Sequence, residues 1–251
     1  MSGTAKSKVA VVAGAGGGIG LAVANMLIAE GASVVLADVK DMPDGITDGP
    51  GSYVYKQGDL SDESFVADVF ESATTMFGRL DYLVNTLGVL WFDRDKSVVT
   101  MDMDVWDTVF KINLKSFALT SRYAVPAMKK SGGGAMVHFS SIDATGGDPK
   151  PQDAYAISKA AVIRLSKGLA VQFAADGIRS NSILPGPTMS PMQSRWEGKD
   201  DVQQKIGAMI PLGRLGHVDD LANAAMFLLS DKAAWITGTE LVVDGGITAG
   251  V

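Results

Sequence analysis

The chain has no cysteine and only two histidines, His138 and His217, among its 251 residues. Without thiols there can be no disulfide, no thiolate metal site and no cysteine nucleophile. Two histidines exclude a histidine-rich metal site, so no metal is expected. No apolar run approaches the about 18 residues of a membrane span, and no signal-like segment opens the chain. A soluble, cytoplasmic protein without a membrane partner is expected. Positive charge is also short: 22 Lys and Arg face 28 Asp and Glu, for a net charge of −6. The basic residues are scattered rather than striped, which argues against nucleic acid as a partner.

Hydrophobic residues make up 47% of the chain, enough for one large core. Short β-branched runs alternate with segments of helical period. "KVAVVAG" (8–14), "SVVLAD" (33–38), "YVYKQGD" (53–59), "LDYLVN" (80–85), "GAMVHFSS" (134–141), "IRSNSILPG" (178–186) and "ELVVDGG" (240–246) read as strands. Segments 19–32, 62–78, 102–130, 153–176 and 219–231 read as helices. Strands apolar on both faces and separated by helices imply a doubly wound parallel sheet covered on both sides, an α/β domain of Rossmann type. No linker or repeat divides it, so residues 1–251 are expected to form one domain. "KDMPDGITDGPG" (40–51) reads as a loop where a helix is due. Residues 187–213, rich in Pro and Met, read as a flap with some helix of its own. His138 is expected in the core and His217 in a structural turn.

"AGAGGGIG" (13–20) joins the first strand to the first helix. Gly14, Gly18 and Gly20, with Ile19 among them, allow a tight turn and close approach of a pyrophosphate to a helix N-terminus. A glycine-rich turn alone is weak evidence; its place between strand and helix gives it weight. Asp38, followed by Val39, ends the second strand, where a carboxylate can hydrogen-bond both hydroxyls of an adenosine ribose and repel a 2′-phosphate. NAD rather than NADP is therefore expected.

"QDAYAISKAA" (152–161) places Tyr155 and Lys159 one helical turn apart on one face. A free phenol, with a pKa near about 10, is a poor base at neutral pH. A cation roughly 4–5 Å away, at an effective dielectric of about 20, favours the phenolate by about 3–4 kcal/mol. That would draw the phenol toward about 7–8. Such a tyrosine can take the proton of an alcohol or return it to a ketone as hydride moves.

Taken with Ser141, Asp59-Leu60, "NTLG" at 85–88, Asn113 in "KINLKSF", Pro185-Gly186 with Thr188 and the closing "WITGTELVVDGG", these residues resemble the short-chain dehydrogenase/reductase family along nearly the whole chain. The resemblance implies Tyr155 as acid/base, Lys159 tuning it and holding the nicotinamide ribose, and Ser141 binding the reacting oxygen. It implies Asn113 at a helix irregularity holding a relay water, Asp59 and Leu60 facing the adenine, and Asn85 bracing the strands beside the cofactor. Gly88, Pro185 and Gly186 would border the cofactor, and Thr188 would meet the carboxamide. It also implies a homotetramer.

Three departures stand out: Leu87 is bulkier than the family's usual residue, Ala13 forgoes a structural hydrogen bond, and the Gly-Asp-Pro-Lys-Pro loop is one residue longer than usual. The resemblance also places the substrate under the 187–213 flap, where it would meet Trp91, Asp143, Gln152, Met189, Met192 and Trp196, a mostly apolar set. Arg195 reads as surface. An uncharged, hydrophobic, cyclic or aromatic secondary alcohol or its ketone is expected. The alternatives are an NADPH-dependent ketone or acyl-thioester reductase and, in another class, a non-catalytic NAD-sensing regulator, which would be expected to lose the Ser-Tyr-Lys set.

Overall fold

β-Branched runs too short for helices and apolar on both sides can be buried only as interior strands of a sheet covered on both faces. The computed structural model describes residues 5–147 and 149–250 and contains such a sheet. Its strands are β1 (Val9–Ala13), β2 (Ser33–Asp38), β3 (Ser52–Gln57), β4 (Tyr82–Asn85), β5 (Gly134–Phe139), β6 (Ile178–Pro185) and β7 (Glu240–Val243). All pair in parallel, in the order β3-β2-β1-β4-β5-β6-β7. The order reverses between β1 and β4, so a crevice opens beyond their C-terminal ends.

Helices α1 (Gly18–Ala29) and α7 (Val218–Leu229) cover one face, burying Leu27, Ile28 and Leu221 against Val12 and Leu36. On the other face, α2 (Glu63–Phe77), α4 (Ser116–Ser131) and α5 (Asp153–Phe173) bury Val66, Phe70 and Met128 against Val11 and Leu83. Each such side chain contributes about 1.5–3 kcal/mol of transfer free energy. The two faces together form one domain around one sheet.

The helix expected over 102–130 is interrupted. α3 (Met103–Phe110) passes into a π turn at Lys111–Lys115 before α4 begins. Residues 40–51 carry no helix, as their Gly, Pro and Asp content implies. Within 187–213 lie a 3-10 segment, Pro191–Trp196, and α6 (Asp200–Met209). The expected strand 240–246 stops at Val243, because Gly245 and Gly246 turn away with φ of 67° and 91°. Among the described residues no helix is long and apolar enough to cross a membrane. Asp148, in the lengthened loop, and the outermost bounds of the expected domain lie outside the described residues.

Candidate active site

The glycine turn leaves β1 at the crevice. α1 starts at Gly18 with no side chain capping it and no acidic residue in its first turn. Its first N–H groups are therefore free to meet an anion. Thr86 donates its hydroxyl to the carbonyls of Ala13 and Gly14, both at 3.0 Å. That contact supplies from β4's side a bond of the kind Ala13 cannot make. It also leaves no room for larger residues: a Cβ at Gly14 would lie 2.6 Å from Thr86 Oγ1, and one at Gly20 would strike the Gly14 carbonyl.

Asp38 closes the same mouth, its carboxylate accepting the N–H of Gly16 at 2.8 Å and that of Lys40 at 3.0 Å. Asp59 faces the cavity nearby. Burial by itself would raise its carboxyl, but the Ser61 hydroxyl and N–H, with Lys111 at 3.7 Å, hold it below its ordinary value.

Ser141 follows β5, and its hydroxyl accepts the N–H of Asp143 at 3.2 Å. Tyr155 and Lys159 stand on successive turns of α5, both buried. Lys159 Nζ donates to the carbonyls of Leu87 and Phe139, each at 3.0 Å, and lies 5.8 Å from the Tyr155 ring centre. Gly88 makes room for it, since a Cβ there would sit 3.1 Å from Nζ. Asn113 falls in the π turn. Its side chain accepts from Val89 N–H at 2.8 Å and donates to the Val89 carbonyl at 3.1 Å and to Ser158 Oγ at 3.2 Å. The widened turn thus ties the loop after β4 to α5.

The expected depression of the Tyr155 phenol is not produced by the chain's own groups. Burial raises it above its ordinary value; the Ser141 hydroxyl opposes this, and the Asp143 charge adds to the rise. Burial also lowers Lys159 to about 7, so it is not a full cation at neutral pH. Desolvation outweighs the Coulomb attraction on which the expectation rested.

Asp38, Ser141, Tyr155 and Lys159 line one cavity of about 960 Å³. Gly14, Gly18, Ile19, Gly20, Val39, Asp59, Leu60, Gly88, Pro185, Gly186 and Thr188 border it, as do Trp91, Asp143, Gln152, Met192 and Trp196. Three expected residues do not. Asn113 is held by Val89 and Ser158, and Met189 gives its backbone N–H to the Gly216 carbonyl. Asn85 is fully buried, donating to His138 Nδ1 at 3.1 Å and accepting from Thr120 at 3.0 Å, so it braces β4 and β5 without bordering the cavity.

Two residues escaped sequence reasoning. Asp95, 1% exposed, accepts the N–H groups of Ala154 at 3.1 Å and Tyr155 at 2.8 Å. It caps α5 from a distant loop, and α5's own N-cap, Gln152, makes no such bond. An acidic residue inside an aromatic loop was the available signal. Arg195, read as surface, lies over the Phe92 ring and borders the cavity.

A family model described as enoyl-(acyl carrier protein) reductase matches residues 14–248. The chain is 36% identical over 246 residues to cis-4-hydroxycyclohexanecarboxylate dehydrogenase of Sinomonas cyclohexanicum, covering 96% of this chain and 97% of that one. A short-chain type dehydrogenase/reductase from Mycobacterium ulcerans superposes with a TM-score of 0.89 at 31% identity, over 97% of this chain and 90% of that one. The chain belongs to the short-chain dehydrogenase/reductase family. A further member at 36% identity is 4-formylbenzenesulfonate dehydrogenase of Comamonas testosteroni, matched over 95% of this chain and 97% of its own. Short-chain dehydrogenases/reductases are oxidoreductases that use nicotinamide cofactors. The uncapped α1 and the glycine cradle suit such a cofactor's pyrophosphate.

Proposed function

We propose that the protein is an NAD-dependent dehydrogenase of a hydrophobic, cyclic or aromatic secondary alcohol, interconverting it with its ketone. The observation that carries this reading is the meeting of Ser141, Tyr155 and Lys159 in one cavity with the glycine turn and Asp38. Trp91, Met192 and Trp196 give the substrate end flat, apolar walls. A relative named for a cyclohexane alcohol supports the cyclic body.

The cofactor would be held by the N–H groups of the glycine turn, by Asp38 at the adenosine ribose, by Asp59 and Leu60 at the adenine, and by Lys159 and Thr188 at the nicotinamide end. Bound in oxidised form, it supplies the hydride acceptor and a positive charge. Ser141 then holds the substrate oxygen by hydrogen bond while Tyr155 takes the hydroxyl proton. With burial raising the phenol, the cationic environment of the loaded site must lower it, and Lys159 shares that task. The proton leaves past Lys159 and the π turn at Asn113.

The description of the matched family model, an enoyl-(acyl carrier protein) reductase, favours a second reading, reduction of a thioester-linked acyl substrate; NADPH would be the reductant in that reading. Asp38 opposes it, because a carboxylate at the end of β2 would repel a 2′-phosphate on the adenosine ribose. The intact Ser-Tyr-Lys set speaks against a non-catalytic sensor. Steady-state rates with NAD and NADP decide the cofactor: the wild type should prefer NAD, and Asp38→Ala should erase at least about tenfold of that preference. An NADP preference in the wild type would overturn the assignment.

We also infer a homotetramer. Val171 on α5 is 83% exposed and Trp235, beyond α7, is 100% exposed, apolar surface of the kind that subunit contacts cover.

A further inference from the structure

We propose that Arg195 is a recognition site for an anionic oxyacid group, a carboxylate or sulfonate, on the substrate at the end remote from the reacting carbinol. The proposal rests on the reading above that the carbinol meets Ser141 and Tyr155. It replaces the expectation of an uncharged substrate.

Among the described residues the cavity is lined by four basic side chains, those of Lys40, Lys111, Lys159 and Arg195. Lys40 gives its backbone N–H to Asp38 and so stands at the adenosine end of the proposed site, Lys111 faces Asp59 at 3.7 Å, and Lys159 is bonded to two carbonyls. Arg195 has no acidic partner among the described residues. Its Nε donates to Gln193 Oε1 at 3.0 Å, which fixes the plane of the group. Its guanidinium carbon lies 3.3 Å from the Phe92 ring centre and 5.1 Å from that of Trp196. So short an approach requires a face-on contact. A stacked guanidinium spends its face on the ring, while its donors lie in its plane. Both Nη nitrogens are without a hydrogen-bond partner among the described residues, leaving a fork whose spacing matches two oxygens of an oxyacid.

The reacting groups have a carboxylate of their own beside them. Asp143 borders the cavity close enough to Tyr155 for its charge to act on the phenol. A second negative charge is disfavoured there, so an acid group is directed away from the reacting carbon. Charge therefore orients the substrate, with the carbinol inward, the acid outward at Arg195, and an apolar body between Trp91 and Met192.

The test compares kcat/KM for cis-4-hydroxycyclohexanecarboxylate with that for its methyl ester, in the wild type and in Arg195→Gln and Arg195→Lys. The wild type should favour the acid by about tenfold or more through KM, Arg195→Gln should bring the ratio near one, and Arg195→Lys should fall between. Equal use of acid and ester by the wild type, or a preference that survives Arg195→Gln, would overturn the proposal. Calorimetry of cyclohexanecarboxylate and its methyl ester, neither of which can react, against the protein with NADH gives a second readout. Should no alcohol turn over, the proposed reaction fails, and calorimetry still decides this site: acid binding weakened about tenfold in Arg195→Gln upholds it, and unchanged binding overturns it.

Discussion

His138 is fully buried on β5, with one ring nitrogen bonded to Asn85 and Nε2 without a partner among the described residues. Burial lowers its pKa from 6.5 to about 4, so the folded protein holds the ring neutral where the unfolded chain would protonate it. The contribution to stability is complete above pH 6.5 and is lost as pH falls toward 4, by roughly 3 kcal/mol in all. Urea unfolding at about pH 7 and about pH 4.5 should show a smaller loss for His138→Gln than for the wild type, and equal losses would refute this. Tyr155 and Lys159 follow the same rule. Their identity and spacing were readable from "YAISK", but the direction of the phenol's shift was not, because it depends on how deeply α5 is packed. Asp95 was unreadable for a related reason: only the folded chain brings residue 95 to the start of α5.

The elements around the site are coupled through their ends. Asp95 caps α5, and the Asp153 side chain accepts the Val98 N–H at 2.8 Å, so the loop after β4 and the helix bearing Tyr155 hold each other. Asp95→Ala leaves two helix N–H groups without acceptors and should cost about 2 kcal/mol of stability. It should also lower kcat more than it raises KM, since Tyr155 is misplaced while the apolar walls remain; Asp95→Asn should recover part of both. A variant with wild-type kcat and unfolding midpoint would show that the cap does not matter. The strands and most helices were readable because their periods and their Gly boundaries are local. The π turn at Lys111–Lys115 was not, since nothing in the helical period of 102–130 marks an added residue; only the resemblance pointed to Asn113.

Across the whole molecule, a single sheet reversal places the glycine turn, Asp38 and the Ser141–Tyr155–Lys159 group around one cavity. The sheet and its reversal follow from the alternation of strands and helices, whereas the sorting of charge between Asp143 and Arg195 emerges only when distant loops close over the cavity. The central claim is that this cavity oxidises a secondary alcohol through Tyr155. The most direct measurement is NADH formation by the purified protein from NAD and a panel of cyclic and aromatic secondary alcohols, with Tyr155→Phe beside it. The proposed chemistry predicts turnover by the wild type and a loss of at least about 100-fold in kcat in the variant, with NADH binding retained. Undiminished turnover by Tyr155→Phe, or tight NADH binding without turnover of any alcohol by the wild type, would contradict it.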